Sequence, residues 1–420
     1  MIGIVGLGYV GLPLAVEFCK QGFDVYGVDK SKEKIDLLRN GETYIGDVNE
    51  ATVKECLKTG RFHVSTDYAV LSKAQAISIC VPTPLRKTKD PDMSYVVDAA
   101  ESVAKILHRG QVVIFESTVY PGATEELIAP ILEKSGLKVG KDFYLAFSPE
   151  RVDPGNERYS IKDIPKVVGG VTSVSTQKAV EVYGQIFKQV IPMKAKEAEM
   201  AKLVENTFRA VNIGLINELA LVAHKMGINI WNVIEAAKSK PFGFTAFYPG
   251  PGLGGHCIPI DPFYLSWKAK TYQADTSFIE LAGKVNSQMP AYVVVRVADL
   301  LNQVGKPLNG SKILILGVAY KRDVNDIRES PALDIIGLLA KKGSKVAYND
   351  PYVPSFYYLE GQWKSQPLTE KLLQEQDCVL IATDHSDYDW EFISQQAKLI
   401  FDTRNATRGV RDRHSNIHLL

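Results

Sequence analysis

Residues 1–11 read MIGIVGLGYVG, an apolar run that leads into glycines at positions 6, 8 and 11. The run predicts a short buried strand, and a helix-like stretch then leads to a second strand, FDVYGVD, which ends at Asp29. Glycines at this spacing allow a tight turn, a close approach of a pyrophosphate to the backbone, and packing of the helix on the strand. The order of these elements predicts a dinucleotide-binding α/β fold.

The position of Asp29 indicates which dinucleotide the turn binds. A carboxylate at the end of the second strand accepts hydrogen bonds from the adenosine ribose hydroxyls and repels a 2'-phosphate, so NAD is favoured over NADP. The N-terminus of the intervening helix faces the phosphates with its N–H groups. A glycine-tolerant turn without a ligand is the alternative, and the complete series of strand, glycines, helix, strand and acid disfavours it.

Three further apolar runs end in polar residues, namely AISICVPTP at Thr83, QVVIFESTVYPG at Thr118 and FYLAFSPER at Glu150. A helix-like segment precedes each run, which predicts successive strands of a parallel sheet. Ligands bind such sheets beyond the carboxyl ends of the strands. We therefore expect these three residues at the edge that the glycine turn occupies. Caps of ordinary loops are the alternative for each residue taken singly.

The composition narrows the class of protein. The chain has 420 residues, 45% hydrophobic and 23% charged, which fits two or three globular domains. A net charge of +1 gives no reason to expect a nucleic acid or a membrane as partner. The five cysteines form no CxxC pair, and no apolar run is long enough to span a bilayer. We expect a cytoplasmic protein with reduced thiols and no metal site.

Residues 196–226 carry apolar side chains at helical spacing, and Gly227 suits the end of a helix. Lys202 and Asn206 are four residues apart and share one face of this long helix. A solvated stripe is the alternative for that face. The segment INIWNVIEAAKS predicts a second helix, and residues 277–304 predict another long one with Pro290 as an expected irregularity.

Cys257 lies in the stretch PGPGLGGHCIPIDPFYL, residues 249–265, between glycines and prolines and four residues before Asp261. Asp261 followed by Pro262 predicts the N-cap of a helix. A helix N-terminus and a nearby cation can lower the pKa of a thiol. Cys257 is therefore a candidate nucleophile or an incidental loop cysteine, and Asp261 is either a functional acid or only a cap.

From residue 311 a second strand–helix–strand pattern begins, in which Asp350 occupies the place of Asp29. This repeat keeps a single glycine, so we do not expect a second full NAD site. The segment YKRDVNDIRESP offers Lys321, Arg322 and Arg328 at the corresponding strand end, where they suit a phosphate-rich ligand. The pattern predicts two Rossmann-like, doubly wound α/β domains joined by a helical central domain with a long helix.

Across essentially its whole length the chain resembles the UDP-glucose/GDP-mannose dehydrogenase family. The matching motifs are GLGYVG, VPTP, STVYPGAT, SPE, AKLVENTFRAVNIGLINE, GPGLGGHCIPIDP and YKRDVNDIRESP. With this resemblance, residues 1–195 are expected to bind NAD, and residues 196–305 to carry the catalytic loop and a dimer interface. Residues 306–420 are then expected to bind the UDP-sugar.

The resemblance implies a four-electron oxidation of the terminal CH2OH of a nucleotide sugar to a carboxylate, with two NAD and no metal. Cys257 matches the nucleophile, which captures the aldehyde as a thiohemiacetal that is oxidised to a thioester. Two rival classes share the first lobe. A two-electron β-hydroxyacid dehydrogenase needs neither this cysteine nor a C-terminal lobe, and a non-catalytic NAD-binding regulator needs no thiol, lysine and acid together.

The resemblance also implies roles for the other site residues. Lys202 stabilises the alkoxide and Asn206 donates beside it. Asp261 orders Lys202 and a water, Glu150 acts as general base in thioester hydrolysis, and Thr118 lies in the active site. The implied NAD contacts are Gly6, Gly8, Tyr9, Val10, Gly11, Asp29, Lys34, Thr83, Thr118 and Arg328. The implied substrate contacts are Glu150, Arg151, Lys202, Asn206, Tyr248, Gly254 and Lys321.

The sequence departs from the UDP-glucose branch of that family around the sugar. Ile260 stands where that branch has a lysine, Pro154 replaces a glutamate, and PFGF at residues 241–244 offers no matching arginine. These features resemble enzymes that oxidise UDP-N-acetylhexosamines, with UDP-N-acetylglucosamine expected first and UDP-N-acetylmannosamine or UDP-glucose as alternatives. The resemblance further implies a homodimer or higher homo-oligomer and a role in polysaccharide biosynthesis.

Overall fold

The computed structural model describes residues 1–46, 48–86, 88, 90–151, 161–255 and 257–420. The chain forms two compact units. The first comprises Met1–Glu205 and Phe263–Asp275, and the second comprises Asn206–Pro262 and Thr276–Leu420. The boundaries of the three predicted domains, at residues 195 and 305, stay a prediction.

Within its described residues, the first unit is built on one eight-stranded sheet. Its strands are β1 (Ile2–Val5), β2 (Val25–Val28), β3 (Phe62–Ser65), β4 (Ala76–Ile79), β5 (Val112–Phe115), β6 (Tyr144–Phe147), β7 (Lys166–Gly170) and β8 (Val190–Lys194). They lie in the order β3-β2-β1-β4-β5-β6-β7-β8. Neighbours pair in parallel except β6 and β7, which are antiparallel. The predicted parallel α/β sheet is confirmed.

The central strands of this sheet end in register. Val5 pairs with Ile79, Ile79 pairs with Phe115, and Phe115 pairs with Phe147. The residues that follow β1, β4, β5 and β6 therefore leave the sheet at one edge. This edge is where an open α/β sheet binds its ligands.

Up to Tyr183, the described residues of the first unit form the helices α1 (Gly11–Lys20), α2 (Lys32–Arg39), α3 (Glu50–Lys58), α4 (Ser94–Ala104), α5 (Ala129–Glu133) and α6 (Ser173–Tyr183). Short 3-10 turns lie at Tyr68–Leu71 and Ile161–Asp163, and one π-helical turn lies at Thr124–Ile128. Buried side chains of α1, including Leu12, Leu14 and Phe18, pack with Ile2 and Ile4 of β1 in one apolar core. Burial of this apolar surface stabilises the helix on the sheet.

The middle of the chain is helical, as its 3.6-residue period predicts. Its helices are α7 (Ala195–Lys225), α8 (Ile230–Lys238), α9 (Asp261–Lys270) and α10 (Ser277–Gln303). Gly227 has a φ of +67°, which suits a residue just beyond the end of a helix. The helix α10 continues through Pro290, so the expected irregularity does not interrupt it. No helix among the described residues is apolar over a length that would cross a membrane.

The second unit contains the other predicted sheet. Its remaining elements are β9 (Lys312–Leu316), α11 (Pro331–Lys341), β10 (Lys345–Asn349), β11 (Ser355–Tyr358), β12 (Gly361–Lys364), α12 (Glu370–Glu375), β13 (Cys378–Ile381), α13 (Trp390–Gln396), β14 (Ile400–Asp402) and β15 (Ile417–Leu419), with a 3-10 turn at Arg411–Arg413. Five strands pair in parallel in the order β10-β9-β13-β14-β15, and β11 and β12 form an antiparallel hairpin.

The sequence pattern did not indicate β3, β7, β8, β15 or the hairpin. β7 contains two glycines, which are poor strand formers and usually mark a bulge or a close backbone approach. Close approach explains both here. A Cβ on Gly169 would lie 2.5 Å from the carbonyl oxygen of Lys194, and one on Gly170 would lie 2.2 Å from the amide nitrogen of Thr176. The close packing of β7 on β8 and α6 therefore requires glycine at these two positions.

A buried carboxyl group of α7 fixes the loop that follows β5. Glu199 is fully buried, and its side chain accepts hydrogen bonds from the amides of Gly122 and Thr124 at 2.5 and 2.8 Å and from the Thr124 hydroxyl at 2.6 Å. Burial raises the pKa of Glu199 to about 7, although these hydrogen bonds act in the opposite direction. Glu199 therefore titrates near neutrality in the folded protein.

We predict that Glu199→Gln changes the pH dependence of stability. Because the pKa of Glu199 is raised on folding, its contribution is present at low pH and is lost as the pH rises to about 7. As the pH rises from 4.5 to 8, the free energy of unfolding of the wild type should fall relative to that of the variant by on the order of 3 kcal/mol. Denaturant titrations of both proteins at several pH values measure this difference. Parallel stability curves would contradict it.

Candidate active site

Glycine is needed at each of the three positions of the first turn for a different structural reason. Gly6 has a φ of +87°, and a Cβ there would lie 2.4 Å from the carbonyl oxygen of Cys80 on the neighbouring strand end. A Cβ on Gly11 would lie 1.9 Å from the Gly6 carbonyl oxygen, so the first turn of α1 packs directly on the loop. At Gly8 a Cβ would meet no described atom within 4 Å. Gly8 therefore leaves open the surface that a pyrophosphate approaches.

Asp29 follows β2 and holds the glycine turn. Its Oδ2 accepts from the Leu7 amide at 2.9 Å, and its Oδ1 accepts from the Ser31 amide at 2.9 Å. Lys34 lies 3.5 Å from the same carboxylate, as an ion pair. A carboxylate oxygen can accept more than one hydrogen bond, so the predicted ribose contact fits this geometry.

Tyr44 supports this turn, and sequence reasoning missed it. Its hydroxyl donates to the Leu7 carbonyl oxygen at 2.6 Å, and Lys34 lies over its ring at 5.5 Å. Burial raises the pKa of Tyr44 above its usual range, and the charge of Asp29 adds to this. The sequence signal was one aromatic residue in the polar stretch ETYIGD, too little to place it beside a turn 37 residues away.

The predicted polar residues leave the sheet at one edge. Thr83, Thr118 and Glu150 follow β4, β5 and β6, whose last residues lie in register with the end of β1. The Thr83 carbonyl oxygen accepts from the hydroxyl of Tyr264 at 3.1 Å. All three residues are partly buried. The structure confirms their shared edge, and their contacts with ligands stay predictions.

Lys202 of α7 reaches the end of β6. It is 9% exposed, and its ammonium donates to the Glu150 carbonyl oxygen at 2.7 Å. One turn further on, Glu205 accepts from the Arg151 guanidinium, with N–O distances of 2.7 and 3.2 Å. Arg151 also donates to the Pro165 carbonyl oxygen at 2.9 Å. The burial of Lys202 excludes the alternative of a solvated helix face.

Asn206 and Asp261 form a buried pair in the second unit. Their side chains are 8% and 1% exposed as residues, and the Asn206 Nδ2 donates to the Asp261 Oδ2 at 2.6 Å. Asp261 is the first residue of α9, close to its predicted cap position, and its amide donates to the Cys257 carbonyl oxygen at 2.8 Å. Cys257 therefore lies one helical turn before a buried, oriented carboxyl group.

The accessibility of the cysteines separates Cys257 from the others. The other four are buried, whereas Cys257 is partly exposed. A nucleophile must be reached by its substrate, and buried thiols in apolar surroundings are unreactive. This difference favours the nucleophile over the incidental loop cysteine.

The glycines before Cys257 pack against the protein itself. A Cβ on Gly254 would lie 2.6 Å from the Cβ of Tyr320, and one on Gly255 would lie 2.9 Å from the Tyr320 ring. The Gly255 amide donates to the Arg328 carbonyl oxygen at 3.0 Å. The motifs GPGLGGHC and YKRDVNDIRESP thus form one packed loop pair. Glycine is needed at these positions for this packing, whatever contact the Gly254 backbone makes with a sugar.

Further predicted contacts belong to the second unit. Lys321 is partly buried in the turn after β9, and the Arg328 guanidinium pairs with Asp326 at 2.5 Å. The Tyr248 hydroxyl donates to Glu235 at 2.7 Å and accepts from Lys238 at 3.2 Å. Their roles toward substrate or NAD stay predictions. The predicted replacement at Pro154 lies outside the described residues.

The second glycine turn is used differently from the first. Asp350 is 2% exposed, and its Oδ2 accepts from the amides of Val318 and Ala319 at 2.7 and 3.1 Å. The same oxygen lies 3.0 Å from Nε2 of His385, whose Nδ1 accepts from a backbone amide at 2.9 Å. His385 therefore donates to Asp350 in its Nε2-protonated form. The oxygens of this carboxylate already accept hydrogen bonds within the protein, so they are poorly placed to accept more from a ribose.

Comparison with known proteins extends these observations. Three domain models of the UDP-glucose/GDP-mannose dehydrogenase family match the chain: the NAD binding domain over residues 1–187, the central domain over 196–288 and the UDP binding domain over 314–409.

Individual relatives are similar over nearly the whole chain. The UDP-N-acetyl-D-mannosamine dehydrogenase of Pyrococcus horikoshii is 37% identical over 411 residues, which cover 96% of this chain and 95% of the relative. The UDP-N-acetyl-D-glucosamine 6-dehydrogenase of Salmonella typhi is 36% identical over 395 residues, 92% of this chain and 90% of the relative. A solved structure of the Pyrococcus horikoshii UDP-D-ManNAc dehydrogenase matches with a TM-score of 0.90 at 35% identity, covering 100% of this chain and 98% of that chain.

We predict that two alanine substitutions in the glycine turn affect different properties of the protein. Gly8→Ala should leave the fold intact, because its Cβ meets open space, and should weaken NAD binding at least tenfold, about 1.4 kcal/mol. Gly11→Ala should lower the melting temperature or prevent folding, because its Cβ would clash with the Gly6 carbonyl oxygen. Thermal unfolding and NAD titration measure both effects. Unchanged NAD affinity in Gly8→Ala would contradict the assignment of this surface.

Proposed function

Because the chain belongs to the UDP-glucose/GDP-mannose dehydrogenase family and is an NAD-dependent UDP-sugar dehydrogenase, we propose that it oxidises a UDP-N-acetylhexosamine at its terminal CH2OH to the uronic acid. UDP-N-acetylglucosamine is the preferred candidate. The observation that carries the proposal is the accessible Cys257, one helical turn before the buried Asp261 that accepts from Asn206.

The Gly8 surface and Asp29 would hold NAD, which when bound would supply the hydride acceptor for the two oxidations. Between them, the Cys257 thiolate bonds to the aldehyde carbon and keeps the substrate on the protein as a thiohemiacetal. Loss of the second hydride converts this adduct into a thioester. A water then adds to the thioester carbonyl, the C–S bond breaks, and the carboxylate leaves with the thiol restored.

Glu150 is the proposed base for that water. Its carbonyl is held by Lys202 and its carboxylate by the amide of Arg151, which donates to Oε1 at 2.7 Å. The ammonium of Lys202 is the proposed stabiliser of the alkoxide and of the later oxyanion, since a fixed cation needs no reorganisation when the charge develops. Asn206, fixed by Asp261, is the proposed second donor.

We also propose that the chain forms a homodimer or higher homo-oligomer. The helix α7 exposes apolar side chains at helical spacing: Phe208, Leu215, Leu219 and Val222 are 53%, 52%, 42% and 47% exposed. A stripe of this kind is typical of a surface that another chain covers.

We predict that Cys257→Ala binds NAD and UDP-sugar but makes almost no uronate, because no covalent adduct can form. Turnover should fall to less than about a tenth of wild type, a barrier increase of at least about 1.4 kcal/mol. Cys378→Ala is the control, since Cys378 is fully buried in β13 and its loss should cost stability without changing the product. Uronate formation by Cys257→Ala above a tenth of the wild-type rate would contradict covalent catalysis.

The substrate preference yields a further prediction. Ile260 stands where the UDP-glucose branch has a lysine, and the segment PFGF at residues 241–244 offers no matching arginine. An apolar, aromatic wall suits the methyl of an N-acetyl group. UDP-N-acetylglucosamine should exceed UDP-glucose by about 10- to 200-fold in kcat/KM, the range expected for apolar contacts of this size. A panel that adds UDP-N-acetylmannosamine, UDP-N-acetylgalactosamine and GDP-mannose measures this. A higher kcat/KM for UDP-glucose would overturn the substrate proposal and leave the mechanism on Cys257 standing.

A further inference from the structure

A buried ion pair lies beneath the proposed base in the first unit. Lys166, the first residue of β7, and Glu116, which follows β5, are 3% and 2% exposed. The Lys166 Nζ lies 2.5 Å from Glu116 Oε2. The two residues are 50 positions apart, and no local sequence pattern predicts their contact.

The pair is the inner end of a longer polar series. The hydroxyl of Tyr183 in α6 donates to Glu116 Oε1, and the Ser78 hydroxyl lies 3.0 Å from that of Tyr183. Lys166 also lies over the rings of Tyr183 and Phe187, at 5.4 and 5.3 Å from their centroids. These contacts hold the ammonium in one place, between β4, β5 and α6.

The outer end of the series is Glu150. The Lys166 Nζ lies 3.6 Å from Glu150 Oε2 and donates to the Pro149 carbonyl oxygen at 3.3 Å. The Glu150 side chain is 14% exposed, so it is where this series approaches the surface. One ammonium therefore serves both a buried carboxylate and the carboxylate proposed as base.

The charges of this cluster favour a role beyond folding. A buried ion pair is costly to desolvate, and apolar residues of similar volume often stabilise a fold as well or better. Burial alone would lower the pKa of Lys166, but Glu116 and Glu150 outweigh it and raise that pKa, so the ammonium stays charged. The thiol of Cys80 is a further titratable neighbour.

We propose that Lys166, held by Glu116, is a positioning residue that orients the Glu150 carboxylate for activation of water in thioester hydrolysis. The inference rests on the proposed function, because it assigns Lys166 to one step of that reaction. The Arg151 amide donates to Oε1 of Glu150, and the Lys166 ammonium lies 3.6 Å from Oε2 as an ion pair, so the two oxygens have distinct neighbours. Lys166 does not contact substrate in this role and should leave both hydride transfers unchanged.

Three variants separate positioning from stability. Glu116→Gln keeps the cation beside Glu150, Lys166→Met removes it, and the double variant removes the buried pair together, so that it leaves no buried Glu116 carboxylate without its cation. Lys268→Met is the matched control, since Lys268 is 9% exposed and pairs with Glu126 at 2.6 Å. Rapid-quench NADH measurements follow the two oxidations, and intact mass follows the acyl group on Cys257.

We expect Glu116→Gln to lose less steady-state kcat than Lys166→Met, because its amide oxygen can still accept a hydrogen bond from the Lys166 ammonium. Lys166→Met and the double variant should give a full burst of two NADH per site, accumulate acyl-enzyme, and lose at least tenfold in steady-state kcat. Lys268→Met should lose thermal stability and keep the wild-type ratio of burst to steady state.

Two sets of outcomes distinguish failure of this inference from failure of the proposed function. A wild-type enzyme that makes one NADH per sugar, or a Glu150→Gln variant without acyl-enzyme, overturns the proposed function and with it the inference. If the wild type makes two NADH per sugar and the double variant hydrolyses the thioester at the normal rate, the role of Lys166 is overturned and the proposed function stands. Equal loss of every step in the double variant also overturns the role of Lys166, because a purely structural role would have that effect.

Discussion

The hydrogen bond from the Lys202 ammonium to the Glu150 carbonyl oxygen, 2.7 Å long, joins α7 to the carboxyl edge of the first sheet. It gives a lysine that is only 9% exposed a hydrogen-bond acceptor for its ammonium, which offsets part of the cost of burying the charge. The same bond places a cation beside the segment that carries the proposed base. Glu199 and Glu205, one turn away on either side of Lys202, fasten the loops after β5 and β6 to the same helix.

The two sheets show how one pattern can serve two purposes. Asp29 and Asp350 both follow the second strand of a Rossmann-like unit, and each accepts from the amides of its glycine-containing turn. Asp350 is buried and also accepts from His385, so its lone pairs are committed to the fold. Asp29 has fewer backbone partners and lies beside the open surface at Gly8. The degraded glycine pattern of the second sheet already indicated this difference.

Local patterns carried most of the fold prediction. The glycine spacing at residues 6–11, the alternation of strands and helices, and the 3.6-residue period of α7 each report on neighbours close in sequence. They placed Thr83, Thr118 and Glu150 at one edge because parallel strands share their direction. The strand β7 was missed, since its glycines reflect packing on α6 and β8, which no local pattern encodes.

Long-range polar contacts could not be predicted from the sequence for the same reason. The pairing of Lys166 with Glu116 depends on the antiparallel placement of β7, and that of Tyr44 with Leu7 on a loop 37 residues away. The packing of Gly254 and Gly255 against Tyr320 likewise joins two segments that are far apart in the sequence. In each case the residue type was visible and its partner was not.

The ratio of NADH formed to UDP-sugar consumed is the most direct test of a four-electron oxidation through a thioester on Cys257. The assay uses purified enzyme, excess NAD and a limiting amount of UDP-N-acetylhexosamine, and it quantifies the uronate at completion. We expect two NADH and one uronate for each sugar consumed. One NADH for each sugar, with an aldehyde or ketone as product, would contradict it.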